Sequence, residues 1–274
     1  MASTGTDWNS GTAVTIYDLE QPRFQGMPIH NAHQPGYLYI LHRRHSDGYD
    51  PVKNGPRTGS SGVIVCMEHS GTHIDAISHQ ADEQMLSNGM NANDLVSSKG
   101  FSAGGVEEID PIVGRAVLID LPRHRGIDRL PAGEAVSLAE FQACCQRQGT
   151  TIQSGDVVLV RLGLGAIWDD AETYLAGPGM HGDVSRWLAG IGVHAVGADN
   201  MAWDVIGLRD EIEGCELPGH LVLLARRGIY IIENLLLEEI AEAGIHEFTF
   251  VCTPLKFTGA TGSPVRPIGI VSTG

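Results

Sequence analysis

Three imidazoles and one carboxylate fall within eleven positions of the stretch Glu68-His69-Ser70-Gly71-Thr72-His73-Ile74-Asp75-Ala76-Ile77-Ser78-His79. Imidazole nitrogen and carboxylate oxygen are the ligands of zinc and its first-row neighbours. His69, His73, Asp75 and His79 share odd numbers, and in an extended chain residues of one parity point to one side. The spacing H-x3-H-x-D-x3-H thus offers four donors to one point. Not all of them need bind a metal. An imidazole left free beside metal-activated water can act as general base and then general acid. His79, furthest from the His73/Asp75 pair, is the candidate for that role. A single histidine is more often a satisfied core or surface residue than a ligand, but that reading is hard to apply to four such residues at once.

Two later stretches could complete a site. In Leu217-Pro218-Gly219-His220, His220 starts a helix, and the strand after it ends on Glu233. A helix folded back on its next strand could bring the two together. Glu233 closes an apolar run, so it is either a strand end in water or a buried carboxylate with a partner, of which a metal is one. The Gly- and Thr-rich loop Thr253 to Arg266 could supply N–H groups and hydroxyls to an oxyanion; a plain turn explains it as well. Of His30, His33, His42 and His45, two could face a pocket, and nothing selects which. His181 reads as a helix start, and His124, His194 and His246 as surface. Walker-type and G-x-S-x-G motifs are absent, which argues against a Walker phosphate loop and a serine-hydrolase elbow.

The elements that must position these residues are short and irregularly alternating. Gly62 to Met67 is an apolar, β-branched run that reads as a buried strand feeding the cluster, with Gly71 able to bend the chain after it. Further strands are expected at Ala13 to Leu19, Ala116 to Leu121, Val157 to Leu162, Ala195 to Asp199, Ile229 to Glu233, Phe248 to Cys252 and Val265 to Val271; Tyr37 to Leu41 is a short apolar run within an irregular segment. Helices are expected from Ser137 (a capping box with Glu140), over Asp183 to Ala189, and from His220 to Arg227. This is a mixed α/β pattern of one domain over 13–274, behind a flexible tail over 1–12. The irregular segment 20–61 and the region of Trp203, Ile206 and Leu208 are expected to shape a pocket; Tyr37, Tyr39 and Trp203 hint at an aromatic ligand.

Composition sets the class. The chain has 274 residues, 42% of them hydrophobic, with 33 acidic against 18 basic side chains and a net charge of -15. An acidic balance argues against nucleic acid or an anionic membrane as partner. No run of about 18 apolar residues is present, so no membrane span is expected. Five cysteines without C-x-x-C spacing and a polar N-terminus point to reduced thiols and a cytoplasmic protein.

The stretch His69 to His79 resembles the signature H-x-G-T-H-x-D-x-P-x-H of the cyclase-like metal-dependent hydrolases, whose members include bacterial kynurenine formamidase and isatin hydrolase. It departs only at Ile77, where the family has proline, which puts the rigidity of that loop in question. Asp18-Leu19 with Gly26-Met27-Pro28, Pro218-Gly219-His220 with Gly228 to Asn234, and Pro254-Leu255-Lys256 with Gly262 to Arg266 are similar to the family's other motifs. The resemblance implies His69, His73 and Asp75 as metal ligands, His220 and Glu233 as the ligands completing a two-metal zinc site, and His79 as catalytic base. Glu233 favours the two-zinc branch over a one-metal manganese branch that lacks it. The implied fold is a single-domain mixed sheet of the swivelling β/β/α type, assembled as a homo-oligomer, dimer or tetramer. The implied activity is hydrolysis of a C–N bond in a small amide, formamide or lactam, aromatic if the pocket is. A lactone or ester hydrolase using the same chemistry, or a metal-binding protein with a lapsed site, are the alternatives.

Overall fold

The computed structural model of the chain describes residues 2–6, 11 and 13–272. Its frame is a ten-stranded mixed sheet. In chain order its strands are β1 (Ser3–Thr6) and β2 (Ala13–Asp18), then, after a separate hairpin of β3 (Tyr37–Arg43) and β4 (Ser61–Cys66), β5 (His73–Asp75), β6 (Ile112–Asp120), β7 (Val157–Arg161), β8 (Ala195–Ala198), β9 (Tyr230–Glu233), β10 (Glu247–Cys252), β11 (Gly262–Pro264) and β12 (Ile268–Ser272). Across the sheet the order is β1-β2-β12-β10-β6-β7-β8-β9-β5-β11. The four strands β6 to β9 run parallel; the flanking pairs are antiparallel. This is the single-domain mixed α/β architecture expected. Within the stretch expected as a tail, Ser3–Thr6 pairs with β2, while residues 7–10 and 12 lie outside the described residues.

Strand alternation divides the sheet between two cores. Val158 and Val160 of β7 face one with Phe141, Val184, Leu188 and Trp203. Val157 and Leu159 face the other with Leu118, Ile232, Ile74 and Phe250. The first is covered by α1 (Leu138–Gln148) and α2 (Gly182–Ile191). Ser137 caps α1 by accepting the Glu140 N–H at 3.3 Å. Each fully buried side chain of this size contributes about 1.5–3 kcal/mol, so the parallel centre is rigid and its strand ends are fixed points for a site.

One expected strand is placed differently. β4 is exposed and, among the described residues, pairs only with β3, with Val63, Ile64 and Val65 showing 46%, 63% and 49% of their surface. A continuous apolar run signals extended chain but cannot say which of its faces meets a core. The strand that carries the cluster is β5, three residues long and too polar to be recognised by hydrophobicity.

Asp199 follows β8 and joins two strand ends. Its buried carboxylate accepts the N–H groups of Leu162 (2.6 Å), Gly163 (2.9 Å) and Leu164 (2.9 Å) in the turn after β7. Asp199→Ala leaves these donors unpaired in the interior and is expected to lower stability by about 3 kcal/mol. Urea unfolding measures this directly, and a loss below about 1 kcal/mol would show that the turn relaxes to water.

Candidate metal centre

The site lies where β9 and β11 flank β5. Glu233 is the register partner of His73 and Ile232 of Ile74; Gly262 opposes Asp75. Alternation sends Ile74 and Ile232 into the apolar core and leaves His73, Asp75 and Glu233 on the other face. All three are buried, with 1%, 1% and 5% of their surface exposed. Gly262 is needed opposite Asp75, because a Cβ there would stand 2.6 Å from the His69 ring.

The turn from His69 to His73 is pinned from three sides. Gly71 has φ +61°. The Arg23 guanidinium donates to the carbonyls of Ser70 and Thr72. Asn234 Nδ2 donates to the Gly71 carbonyl at 3.0 Å, and the Thr72 hydroxyl donates to the Asn234 carbonyl at 2.6 Å. A Cβ on Gly71 would sit 2.5 Å from the Arg23 guanidinium. Downstream, the family's proline position is the first residue of a short 3-10 turn, Ile77–His79. Its rigidity comes from His79 N–H to Ala76 carbonyl (2.9 Å) and Ser78 N–H to Gly104 carbonyl (3.1 Å), so the loop is held without proline.

Each imidazole is oriented by its outer nitrogen. His73 Nδ1 donates to the Gly71 carbonyl (2.8 Å), leaving Nε2 at 3.2 Å from Glu233 Oε2 and 3.5 Å from Asp75 Oδ1. His220 opens a π-helical segment, His220–Ala225, a form frequent at functional sites. Its Nδ1 lies 3.0 Å from Asp204 Oδ2, and its Nε2 is 3.2 Å from Glu233 Oε1 and 3.6 Å from Asp75 Oδ2. Asp204 is positioned by Trp203, a buried residue at φ +55°, a backbone state that costs on the order of 1–3 kcal/mol. His69 Nδ1 is 2.7 Å from Asp75 Oδ1, and its ring stacks on His79 at 3.9 Å.

The six residues singled out in the sequence are therefore together. His69, Asp75 and His79 offer ligand atoms within 4.8 Å of one another, as do Asp75, His220 and Glu233, so Asp75 is common to two groups. His73 joins through the two carboxylates. Asp75 Oδ2 and Glu233 Oε1 are buried and have no hydrogen-bond partner of good geometry among the described residues. Two buried carboxylates with open lone pairs, ringed by imidazole nitrogens, fit a divalent cation.

Charge is balanced by protons in the metal-free chain. Burial opposes ionisation of Asp75, but the surrounding imidazoles of His79, His69 and His220 hold its carboxyl well below the ordinary range. Burial and Asp75 oppose ionisation of Glu233, and His220 and His73 outweigh them, lowering it. His220 is raised well above the usual imidazole value: burial opposes this, and Asp204, Asp75 and Glu233 prevail. His73 is raised by Glu233 and Asp75 against its burial. His79 is pushed down to about 3, chiefly by burial.

A cleft of about 270 Å³ opens on this cluster, lined also by His30, His33, Met201 and Ile206. It is at the small end of ligand pockets. His33 lies 4.9 Å from the His69 ring, and burial with its histidine neighbours lowers it to about 4. Thus His30 and His33 are the two that face the pocket. The expected aromatic wall is absent among the described lining residues. Trp203 is core, with Nε1 donating to Ser185 Oγ at 2.9 Å, and Tyr39 is half exposed on the hairpin. The loop over 253–266 does not line the cleft either; its Thr261 hydroxyl reaches the cluster, at 2.8 Å from His69 Nε2. Sequence reasoning missed Asp204 and Arg23, which carry no local signal; Thr261 lies in the Gly- and Thr-rich loop, but its hydroxyl meets His69 and not an oxyanion. Asn234 does carry one, since asparagine tolerates the left-handed φ of +56° found there.

Fold and site together define an α/β protein with a buried cluster of imidazoles and carboxylates near a sheet edge that could hold a metal ion. A family model described as "Putative cyclase" matches residues 17–205, and the chain belongs to that family. His220 and Glu233 lie beyond the matched span. Among curated relatives, Cyclase-like protein 2 of Oryza sativa is 27% identical over 79% of this chain and 67% of its own length. Kynurenine formamidase of Bacillus cereus is 25% identical over 76% of this chain and 78% of its own. Among solved structures, a novel cyclase superposes with a TM-score of 0.79 at 27% identity, covering 93% of this chain and 87% of that one. Isatin hydrolase A from Ralstonia solanacearum, 22% identical, shares the fold with a TM-score of 0.70 over 94% and 92% of the two chains.

Raised His73 and His220 hold protons that a metal must displace. Metal affinity is therefore expected to rise as pH climbs through and above the ordinary imidazole range, with proton release on binding. Calorimetry in two buffers of different ionisation enthalpy would detect it; identical heats would contradict it. Gly71→Ala, which drives a Cβ into Arg23, is expected to cost about 1–3 kcal/mol of stability and to weaken metal binding; an unchanged melting temperature and metal affinity would show the turn to be plastic.

Proposed function

We propose that residues 13–274 form a metal-dependent hydrolase that cleaves a C–N bond in a small amide, formamide or lactam. The observation that carries this reading is the pair of buried carboxylate oxygens without hydrogen-bond partners of good geometry among the described residues, Asp75 Oδ2 and Glu233 Oε1, faced by imidazole nitrogens. In this reading His69, His73, Asp75, His220 and Glu233 hold one or two Zn²⁺ ions, with Mn²⁺ as the alternative for the same donor set. When bound, the metal supplies Lewis acidity to the substrate carbonyl and brings water to a pKa of roughly 7.

The remaining work falls to the chain. His79 is a buried imidazole that is neutral in the metal-free chain, and beside a metal-activated water it can take the attacking water's proton. It then returns that proton to the leaving nitrogen, the step an amide needs more than an ester does. Gln80 Nε2 lies 3.2 Å from His79 Nε2 and restrains the ring. Met201, Ala202 and Ile206 give the cleft an apolar wall that would exclude water and accept the body of a small substrate, aromatic ones included. The names of the relatives, a kynurenine formamidase and an isatin hydrolase, support a C–N bond as the target.

A second reading of His79 has its own support. Its ring shares a potential ligand group with His69 and Asp75, so it could be a ligand instead of a base. His79→Ala separates the two. As a base, its loss leaves metal content unchanged and lowers turnover by about 10²–10⁴-fold; as a ligand, it lowers metal content too. Glu233→Gln is expected to reduce bound metal as read by elemental analysis. Protein that holds no metal, and gains no activity from Zn²⁺ or Mn²⁺, would sink the proposal. An anilide assayed against its matching ester distinguishes the amidase from a lactone or ester hydrolase. Zn²⁺ binding with no turnover in a broad panel would indicate a lapsed site.

The setting we propose is cytoplasmic, with a small-molecule substrate and no nucleic-acid partner, given 33 carboxylates against 18 cations. No helix among the described residues is long and apolar enough to cross a membrane. A homo-oligomer, dimer or tetramer, is supported by the exposed apolar ribbon of β3 and β4, since a lone two-stranded ribbon is marginal in water.

A further inference from the structure

We propose that Glu68 and Thr261 are positioning residues that select the tautomer in which His69 presents Nδ1 to the metal. The inference rests on the metal-site reading above and deepens it.

His69 is the odd imidazole of the cluster. His73 and His220 give their Nδ1 protons away, to the Gly71 carbonyl at 2.8 Å and to Asp204 at 3.0 Å, and turn Nε2 inward. His69 does the reverse. Its Nδ1 faces the cluster, 2.7 Å from Asp75 Oδ1, and its Nε2 faces out, 2.8 Å from Thr261 Oγ1. A neutral imidazole carries one proton, and Asp75 by itself would draw that proton to Nδ1. The nitrogen that should bind metal would then be blocked.

The outer contacts decide against this. Glu68 Oε1 accepts the Thr261 hydroxyl at 2.5 Å, and Glu68 Oε2 accepts the Thr261 backbone N–H at 3.1 Å. A carboxylate only accepts, and a hydroxyl has a single proton. With that proton directed to Glu68, Thr261 Oγ1 can meet His69 only as an acceptor. Nε2 therefore carries the ring proton, and the Nδ1 lone pair points at the cluster. The chain Glu68–Thr261–His69 is the counterpart of Asp204–His220, with a hydroxyl inserted because His69 is turned the other way. Such outer partners of metal-ligating histidines fix both tautomer and ring orientation. Backbone placement supports the arrangement: Glu68 precedes His69 in the chain, and Thr261 precedes Gly262, whose missing Cβ makes room for the His69 ring.

The test uses the full chain stripped of metal and titrated with Zn²⁺ against a chromogenic chelator. Glu68→Gln and Thr261→Val should each weaken Zn²⁺ binding by about 10–100-fold. The double variant should be no weaker than the worse single one, because the two act in series. Thr261→Ser, which restores the hydroxyl, should return affinity to within about twofold of the parent, as expected if the hydroxyl alone carries the effect. Nitrogen-15 spectra of histidine-labelled, Zn²⁺-loaded parent should show His69 protonated at Nε2; in metal-free Thr261→Val the proton should move to Nδ1. Unchanged affinity and an unchanged His69 tautomer in both Glu68→Gln and Thr261→Val would overturn the proposal while leaving the metal reading intact. A parent chain that binds no Zn²⁺ would overturn both. Should Thr261→Val fail to fold, as seen by near-ultraviolet circular dichroism, Glu68→Gln with Thr261→Ser decides alone.

Discussion

Asp75 and Glu233 are two carboxylates buried within one cluster, and the local structure is arranged around that cost. Isolated carboxylates in a protein interior are strongly disfavoured. Here they sit on paired strands, β5 and β9, facing the same side. In the metal-free chain, protonated His73 and His220 offset their charge; a divalent cation would do so with shorter contacts. The same need explains why imidazoles enter from a preceding turn, a following 3-10 turn and a distant π-helical segment.

Geometry at such a centre is set from behind. Arg23 and Asn234 hold the carbonyls of the turn around Gly71, and that turn in turn fixes the His73 ring. Asp204 holds His220, and it is held by a strained backbone at Trp203. Asp199 ties the ends of β7 and β8 beside it. These contacts bury polar groups in pairs, so that the loss of one leaves a partner unsatisfied. The parallel strands supply the rigid base, β5 and the end of β9 carry His73, Asp75 and Glu233, and the flanking turns supply the remaining imidazoles.

Much of the fold was legible from hydrophobic runs. Val157 to Leu162, Ala195 to Asp199 and Ile229 to Glu233 are continuous because parallel strands are covered on both faces. Ser137 with Glu140 marked a helix start by its capping chemistry. The same reasoning misplaced β4, since apolar continuity there reflects a ribbon apolar on both sides and not a buried strand. It also could not see β5, where function replaced hydrophobic residues with His73 and Asp75.

By itself the sequence determined the chemical inventory: four donors at odd positions from His69 to His79, a glycine where the backbone must turn, and a carboxylate ending an apolar strand at Glu233. Residue type and short-range spacing suffice for that, because alternation along an extended chain is local physics. Only the tertiary structure decided which donors meet. It paired Glu233 with His73 across a strand register, brought His220 in from a segment some 150 residues away, and chose His30 and His33 over Tyr39 and Trp203 for the cleft. It also placed Asp204, Arg23 and Thr261 behind the imidazoles. Those choices depend on strand order and long-range packing, and no local pattern encodes which distant side chain will stand behind a given nitrogen.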